Sequence, residues 1–471
     1  MVDNNFIDEL FKRRAKFSKE DVKEAIEFIE ADFEKKNELS ETIIQSFTDK
    51  IQLAEKFYEI MPFYYDKAGV WWIWNTGKKF YELWDDIDVL NSISFSSPAN
   101  TINSKERNEI LQALKQVGRQ HKPKDVPREW VQFSNKILNI FTGDKLEPSP
   151  EYFLTSPLPF KFGRCGETPT MDKLFEEWVG KTYVKTLYEI IAYCLYKDYP
   201  IERIFCLLGG GSNGKSCYLK LLRNFIGDEN IVSTDLDLII GSRFETAKLR
   251  NKMVCMIGET NFNDLNNTSK IKRMTSGKDP IPIEYKNKGS MDYVNYAKLI
   301  MATNNLPPTT DKTAGFGRRW CIIDFPNQFT VEKDILSAIP KEEYENLGVK
   351  CITLLNELLK NRKLTNEGSI EERQQRYEEK SNPFDKFWSE NIIESSDSHI
   401  WKHDFKGALN DWLKSNSFRT MSDHTIMQHL RKRDISSQKV GADFFDDSGK
   451  KPRWMAWVGI KFKGENKEIM P

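Results

Sequence analysis

Gly209-Gly210-Gly211-Ser212-Asn213-Gly214-Lys215-Ser216 is the stretch on which the reading of this chain turns. It fits G-x-x-x-x-G-K-[ST]. The apolar run 203–208 precedes it and has the composition of a short buried strand. A helix is expected over 217–226, with Leu219, Leu222, Phe225 and Ile226 on one face. Strand, glycine turn and helix N-terminus together make a phosphate cradle. The glycines let backbone N–H groups curl inward, and the helix end adds its positive pole. Gly209, Gly210, Gly211, Ser212, Asn213, Gly214, Lys215, Ser216 and Cys217 are therefore the candidate ATP-binding residues. Lys215 would reach the β- and γ-phosphates, and the Ser216 hydroxyl would ligate Mg2+. Chance alone produces the pattern in about one or two per hundred chains of this length.

A cradle needs chemistry beside it. The run 252–257 is another buried strand, followed by Gly258 and Glu259. Glu259 is placed to polarise an attacking water and to help hold the metal; Asp235 and Asp237 compete for that role but follow no comparable apolar run. The strand 298–302 ends in Thr303-Asn304-Asn305, and the Asn304 amide can hydrogen-bond both water and terminal phosphate, with Asn305 as the alternative. Arg318 and Arg319 stand just before the apolar run 320–325. A guanidinium there neutralises the charge that develops in phosphoryl transfer, and either arginine could serve. Between these elements, 270–296 reads as a β-hairpin with a basic tip, where Lys286 and Lys288 could grip a DNA backbone.

The surroundings divide the 471 residues into five regions. Residues 1–120 read as a mainly helical N-terminal region, with one helix face formed by Val22, Ala25, Ile26, Ile29 and Phe33, a second helix over 41–57, and a small aromatic hairpin at 64–74. Those aromatics suit a small β-core better than base stacking. The Pro-rich stretch 121–180 reads as an irregular connector, 181–335 as the α/β core, and 336–383 as a helical linker. Residues 384–471 read as helices over 385–392, 402–414 and 422–433 and then a hairpin, a winged-helix order. From 401 onward there are 14 Lys and Arg against 9 Asp and Glu. Arg431, Lys432 and Arg433, at the end of the third helix, are candidate DNA contacts. No Cys or acidic cluster accompanies His403, His424 and His429, so they do not read as metal ligands.

Overall charge is balanced, 70 basic against 70 acidic residues, which excludes a histone-like protein but not a local basic surface. No apolar stretch approaches 18 residues, so no membrane partner is expected, and the N-terminus lacks a signal-peptide core. The seven cysteines, odd in number and without a CxxC pair, fit buried small hydrophobes in a reducing host cytoplasm.

In this order, the motifs resemble a superfamily 3 helicase of the phage/plasmid and poxvirus primase-helicase kind. The resemblance takes in 64–84, Phe133-Ser134-Asn135-Lys136-Ile137-Leu138, the glycine loop, 271–277, Ala302-Thr303-Asn304-Asn305-Leu306-Pro307, Gly317-Arg318-Arg319 and Ser381-Asn382-Pro383. It implies an AAA+-like P-loop ATPase core, with ATP and Mg2+, assembled as a homo-oligomeric ring, with a hexamer expected. Such rings unwind duplex while moving on single-stranded or forked DNA, here with a separate primase or polymerase as possible partner. Lys215 and Ser216 carry over as Walker A, Glu259 as Walker B, Asn304 as sensor, Arg318 or Arg319 as finger, and Lys286 and Lys288 as pore-hairpin residues. Two departures stand out. Too few residues precede the match for a primase domain, so no primer synthesis is expected, and the acidic motif has one carboxylate instead of two. A packaging or loading ATPase, and an initiator using ATP only for assembly, are the alternative expectations.

Overall fold

The computed structural model describes residues 50–94, 104–258, 265, 268–286, 289–309, 311–330, 334–416, 418, 420–441 and 453–464. The helix expected on Val22 to Phe33 lies outside them, as does Asp446-Asp447-Ser448-Gly449, where the sequence pattern places the turn of the C-terminal hairpin. The chain forms two compact units, Met1–Phe162 with Tyr285–Met291, and Gly163–Glu284 with Asp292–Pro471. Among the described residues, no helix is long and apolar enough to cross a membrane.

The first unit is not mainly helical, as the sequence had suggested. Helix α1 (Lys50–Ile60) leads into an antiparallel sheet of β1 (Phe63–Tyr65), β2 (Trp71–Asn75) and β3 (Phe80–Trp84), and then α2 (Asp86–Ser94) and α3 (Ser104–Gln120) follow. Strand alternation sends Phe63, Trp71 and Ile73 toward the helices and Tyr64, Trp72 and Trp74 toward a second aromatic cluster. Asp66, 2% exposed, builds the hairpin turn by accepting from Val70 N at 3.2 Å and from Trp72 Nε1 at 2.9 Å. The aromatics are thus core, with their polar edges satisfied. Residues 121–180 are not an irregular connector throughout. They contain β4 (Trp130–Phe133), β5 (Lys136–Asn139) and β6 (Lys145–Leu146), one antiparallel sheet, and the start of α4 (Pro169–Cys194).

In the second unit α4 breaks at Gly180, where φ is 72°. Thr168 does not cap it; the Glu343 carboxylate does, accepting from Thr170 N at 3.0 Å and Met171 N at 3.1 Å. Next come β7 (Ile204–Leu208), α5 (Lys215–Ile226), β8 (Ile231–Thr234), α6 (Leu236–Gly241), α7 (Arg243–Ala247) and β9 (Val254–Ile257). The chain continues through α8 (Thr268–Met274), β10 (Ile281–Glu284), β11 (Ser290–Tyr293), β12 (Lys298–Thr303), α9 (Ala314–Gly317) and β13 (Trp320–Asp324). Five of these strands form a parallel sheet in the order β13-β7-β12-β9-β8. Every residue of β7 and β9 is buried, as both-face burial of a parallel sheet requires.

Helices α10 (Lys341–Asn361) and α11 (Ile370–Ser381) follow, and α10 packs along α4. Then come α12 (Pro383–Asn391), β14 (Ile392–Trp401), α13 (Lys402–Ser415), α14 (Asp423–Arg431), β15 (Ser437–Gly441) and β16 (Arg453–Phe462). The three helices fall where the apolar pattern puts them. Strand β14 was not anticipated: its interior Glu394-Ser395-Ser396-Asp397-Ser398 hides the β signal. It pairs with β16, and Phe384, Phe387, Phe405, Leu409, Leu430 and Ile460 form the core beneath.

Candidate nucleotide site

The glycine loop leaves the C-terminal end of β7, where ligands of open parallel sheets bind. Its geometry requires glycine. A Cβ on Gly209 would lie 1.9 Å from Asn213 Nδ2 and 2.7 Å from Phe325 O, and one on Gly214 would lie 2.5 Å from Trp178 Cδ1. Gly211, Ser212 and Gly214 have φ of 104°, 47° and 91°. Such left-handed positions turn successive N–H groups into an anion-binding nest. Asn213 anchors the loop through Nδ2 to Phe325 O at 3.1 Å. Helix α5 starts at Lys215 with no side-chain cap and no acidic residue in its first turn, so its N–H groups suit a phosphate. Ser216 is exposed at this end. Burial raises the pKa of the half-buried Cys217 thiol.

Lys215, 6% exposed, donates from Nζ to Gly209 O at 2.7 Å, Asn213 Oδ1 at 2.9 Å and Asn304 Oδ1 at 3.3 Å. The Walker-type lysine and the sensor-type asparagine expected from the sequence are therefore in contact. Strand adjacency explains this, because β12 pairs directly with β7 and ends beside the loop. Glu259 lies outside the described residues, as does Lys288. The strand preceding Glu259, β9, is two positions from β7, about 10 Å at ordinary strand spacing. Asp235 follows the edge strand β8, a further position away, and is exposed; Asp237 is exposed on α6. Lys286 is exposed beside the β10–β11 turn.

The two arginines differ. Arg319 is buried, and donates to Thr275 Oγ1 at 3.0 Å and to Gly315 O, while its Nη2 lies 2.8 Å from Glu202 Oε2. Arg318 is more exposed and, among the described residues, its side chain pairs with Glu202. Both stand at the N-terminal end of β13, which runs parallel to β7 with Trp320 opposite Ile204 and Asp324 opposite Leu208. They are thus at the opposite end of the sheet from the glycine loop. The segment joining Asn304 to them is clamped: Leu265 N donates to Pro308 O at 2.9 Å, and Asp311 takes Lys272 at 2.6 Å and the Thr268 hydroxyl.

At the far end of the unit, Arg433 is engaged by its own chain. It pairs with Asp385 and lies over the Phe384 and Trp388 rings at 5.3 and 5.0 Å. Arg431 and Lys432 are exposed. Two residues lining the site escaped the sequence reading. Asp324 ends β13 beside Leu208 and is paired with Arg376 at 2.9 Å, and Lys386 of α12 donates to Asn305 Oδ1. The position of Asp324 after a buried strand was a usable signal; Lys386 carried none.

Residues 40–184 match the family described as D5 N terminal like, and residues 207–319 match a family of unknown function, DUF5906. No curated protein matches the chain. Among solved structures, the apo NrS-1 C-terminal region aligns at 12% identity and TM-score 0.48, over 88% of this chain and all of that one. An A-form apo structure of the same region aligns at 13% identity and TM-score 0.44, with the same coverage. The glycine loop, Asn304 and both arginines thus fall inside the family of unknown function, while the aromatic sheet β1–β3 falls inside the D5 N terminal like region.

Proposed function

We propose that this chain is an ATP-driven DNA helicase of the superfamily 3 kind, acting as a homo-oligomeric ring in the replication of a mobile genetic element. The observation that carries the reading is the convergence of Lys215 Nζ on Asn304 Oδ1 at the mouth of a glycine loop that admits no Cβ at two of its positions. The D5 N terminal like match supports the replication context. In the proposed mechanism, the N–H groups of the loop and of the first turn of α5 hold the β- and γ-phosphates. Lys215 exchanges its amide and carbonyl partners for phosphate oxygens. Glu259 takes the proton of the attacking water, and Asn304 orients that water. The Ser216 hydroxyl, with Glu259, would hold Mg2+, which supplies charge neutralisation for the leaving phosphate.

The arginines act between subunits. The five residues of β13 separate them from the loop end, about 17 Å at strand rise and more than an arginine side chain spans. Arg318, with Glu202 as its side-chain partner among the described residues and greater exposure, is the finger; Arg319 holds its segment in place. Lys286 and Lys288 contact the DNA backbone from the β10–β11 turn, and 384–471, with its helix–strand–helix–helix–hairpin order, serves as a winged helix. The test is ATP turnover and strand displacement on a forked substrate. Lys215→Ala is expected to abolish both; normal turnover in that variant would refute the site. Turnover without displacement would favour a packaging or loading ATPase, and full replication function in Glu259→Gln would favour an initiator.

A further inference from the structure

A cavity of about 830 Å3 opens beside the phosphate loop, and its walls come from distant parts of one unit. Gly209, Gly210, Asn304 and Asn305 line one side; Lys386 and Glu390 of α12 line the other. Helix α12 is two-faced. Phe384 and Phe387 are buried in the C-terminal core, while Lys386, Ser389 and Glu390, at i, i+3 and i+4, share the cavity side. The Asn305 amide that Lys386 contacts is held in a tight turn. Thr303 Oγ1 donates to Asn305 O at 2.7 Å, and Asn305 N donates back to Thr303 Oγ1 at 3.3 Å. Two ammonium groups, Lys215 from α5 and Lys386 from α12, therefore converge on two consecutive asparagine amides.

The surroundings of Lys386 suit an anionic acceptor. Burial lowers its pKa, Glu390 opposes that fall and Lys380 adds to it. Among the described residues, no carboxylate stands within ion-pair distance of its Nζ, and its hydrogen-bond acceptor is a neutral amide. The acids around the cavity have other partners: Asp385 has Arg433, Asp324 has Arg376 and Lys380, Glu379 accepts from Gln375 Nε2 at 2.8 Å, and Glu390 accepts from Trp412 Nε1 at 3.1 Å. A phosphate is a stronger acceptor for an ammonium than an amide is, because both partners are ionised.

We infer that Lys386 is a second phosphate-binding lysine of this site, which leaves Asn305 for the terminal group of a nucleoside triphosphate and so couples α12 and the C-terminal helices to the nucleotide state. This inference rests on the reading of the glycine loop as a nucleotide site. A diphosphate lacks the group beside Asn304 and leaves Lys386 on Asn305, so the coupling discriminates ATP from ADP.

The test compares equilibrium binding of a non-hydrolysable ATP analogue and of ADP to the full chain. Lys386→Met keeps the apolar stem, Lys386→Arg keeps the charge, and Lys215→Ala is the control. Loss of one charge-assisted contact should weaken the analogue about 10- to 100-fold in Lys386→Met. ADP affinity should stay within about twofold, and Lys386→Arg should recover most of the analogue binding. Unchanged binding of both nucleotides in Lys386→Met, with binding lost in Lys215→Ala, would overturn the assignment and leave the nucleotide site standing. Equal loss of both nucleotides in Lys386→Met would also overturn it. Normal binding in Lys215→Ala would remove the nucleotide reading itself, and this inference with it.

Discussion

Mixing two inactive variants tests the most demanding part of the proposed mechanism, the supply of an arginine by a neighbouring subunit. Arg319 O accepts from Ile204 N at 2.6 Å, so the arginines are tied to the beginning of β7, while Gly209 follows its end. With β13 parallel to β7 and five residues long, the separation is about 17 Å. An arginine in that position cannot serve its own loop. Arg318→Ala should therefore lower ATP turnover by about 10³- to 10⁵-fold, the usual worth of such a guanidinium, with little loss of stability. Arg319→Ala should instead destabilise the fold by up to about 3 kcal/mol, since it strips partners from Thr275, Gly315 and Glu202 in a buried setting. Subunits carrying Arg318→Ala retain Lys215, and subunits carrying Lys215→Ala retain Arg318. In a head-to-tail assembly mixed in equal amounts, about a quarter of interfaces join an intact loop to an intact arginine. Steady-state ATPase of the mixture should recover toward that fraction of wild type, although each variant alone is inactive. Failure of every mixing ratio to restore turnover, with assembly verified by light scattering, would refute the intersubunit arrangement.

Three other outcomes follow from the packing. Gly214→Ala combines a left-handed backbone with a 2.5 Å approach to Trp178, so it should cost about 2–5 kcal/mol. Gly211→Ala, at φ +104° with nothing within 4 Å, should lose only the backbone share, about 1–2 kcal/mol; equal losses in denaturant titrations would contradict this. Lys298 is buried, donates to Tyr196 O at 2.6 Å and Tyr296 O at 2.7 Å, and lies over the Tyr193 and Tyr199 rings. Burial pushes its pKa down to about 7 from the ordinary 10.5, so above pH 7 the unfolded chain holds the proton that the folded chain releases. Its contribution to stability should thus rise with pH, by at most about 1.4 kcal/mol per unit, between pH 7 and about 8.5, below the thiol titrations. Lys298→Met should abolish that rise, and an identical slope in the variant would dismiss the assignment. In the C-terminal region, Arg431→Ala and Lys432→Ala should each lower the salt dependence of DNA binding by about one unit of slope. Arg433→Ala should instead lower the melting temperature, because that side chain is spent on Asp385 and the Phe384 and Trp388 rings.

Residues 209–216 stood out in the sequence because a glycine loop that opens a helix is a local object. Its glycines, lysine and helix start lie within one turn of chain, and the backbone angles they need are stated by residue type. The apolar runs before Gly209, Gly258 and Asn304 were equally plain, since strands buried on both faces have no polar side to show. Strands β4 to β6 and β14 were not plain: they are short or interrupted by Ser, Asp and Gln, and only their partners make them strands.

The sequence alone showed a glycine loop of the kind that cradles phosphate, one lysine in it, and two asparagines, Asn304 and Asn305, that could stand beside it. Tertiary structure decided what those residues meet. The strand order β13-β7-β12-β9-β8 puts Asn304 against Lys215 and sends Arg318 and Arg319 to the other end of the sheet. Only folding brings Lys386 to Asn305, and buries Arg319 while leaving Arg318 more open. The reason is physical: a turn is specified by the few residues that make it, whereas convergence of side chains depends on the register of strands and helices far apart in the chain.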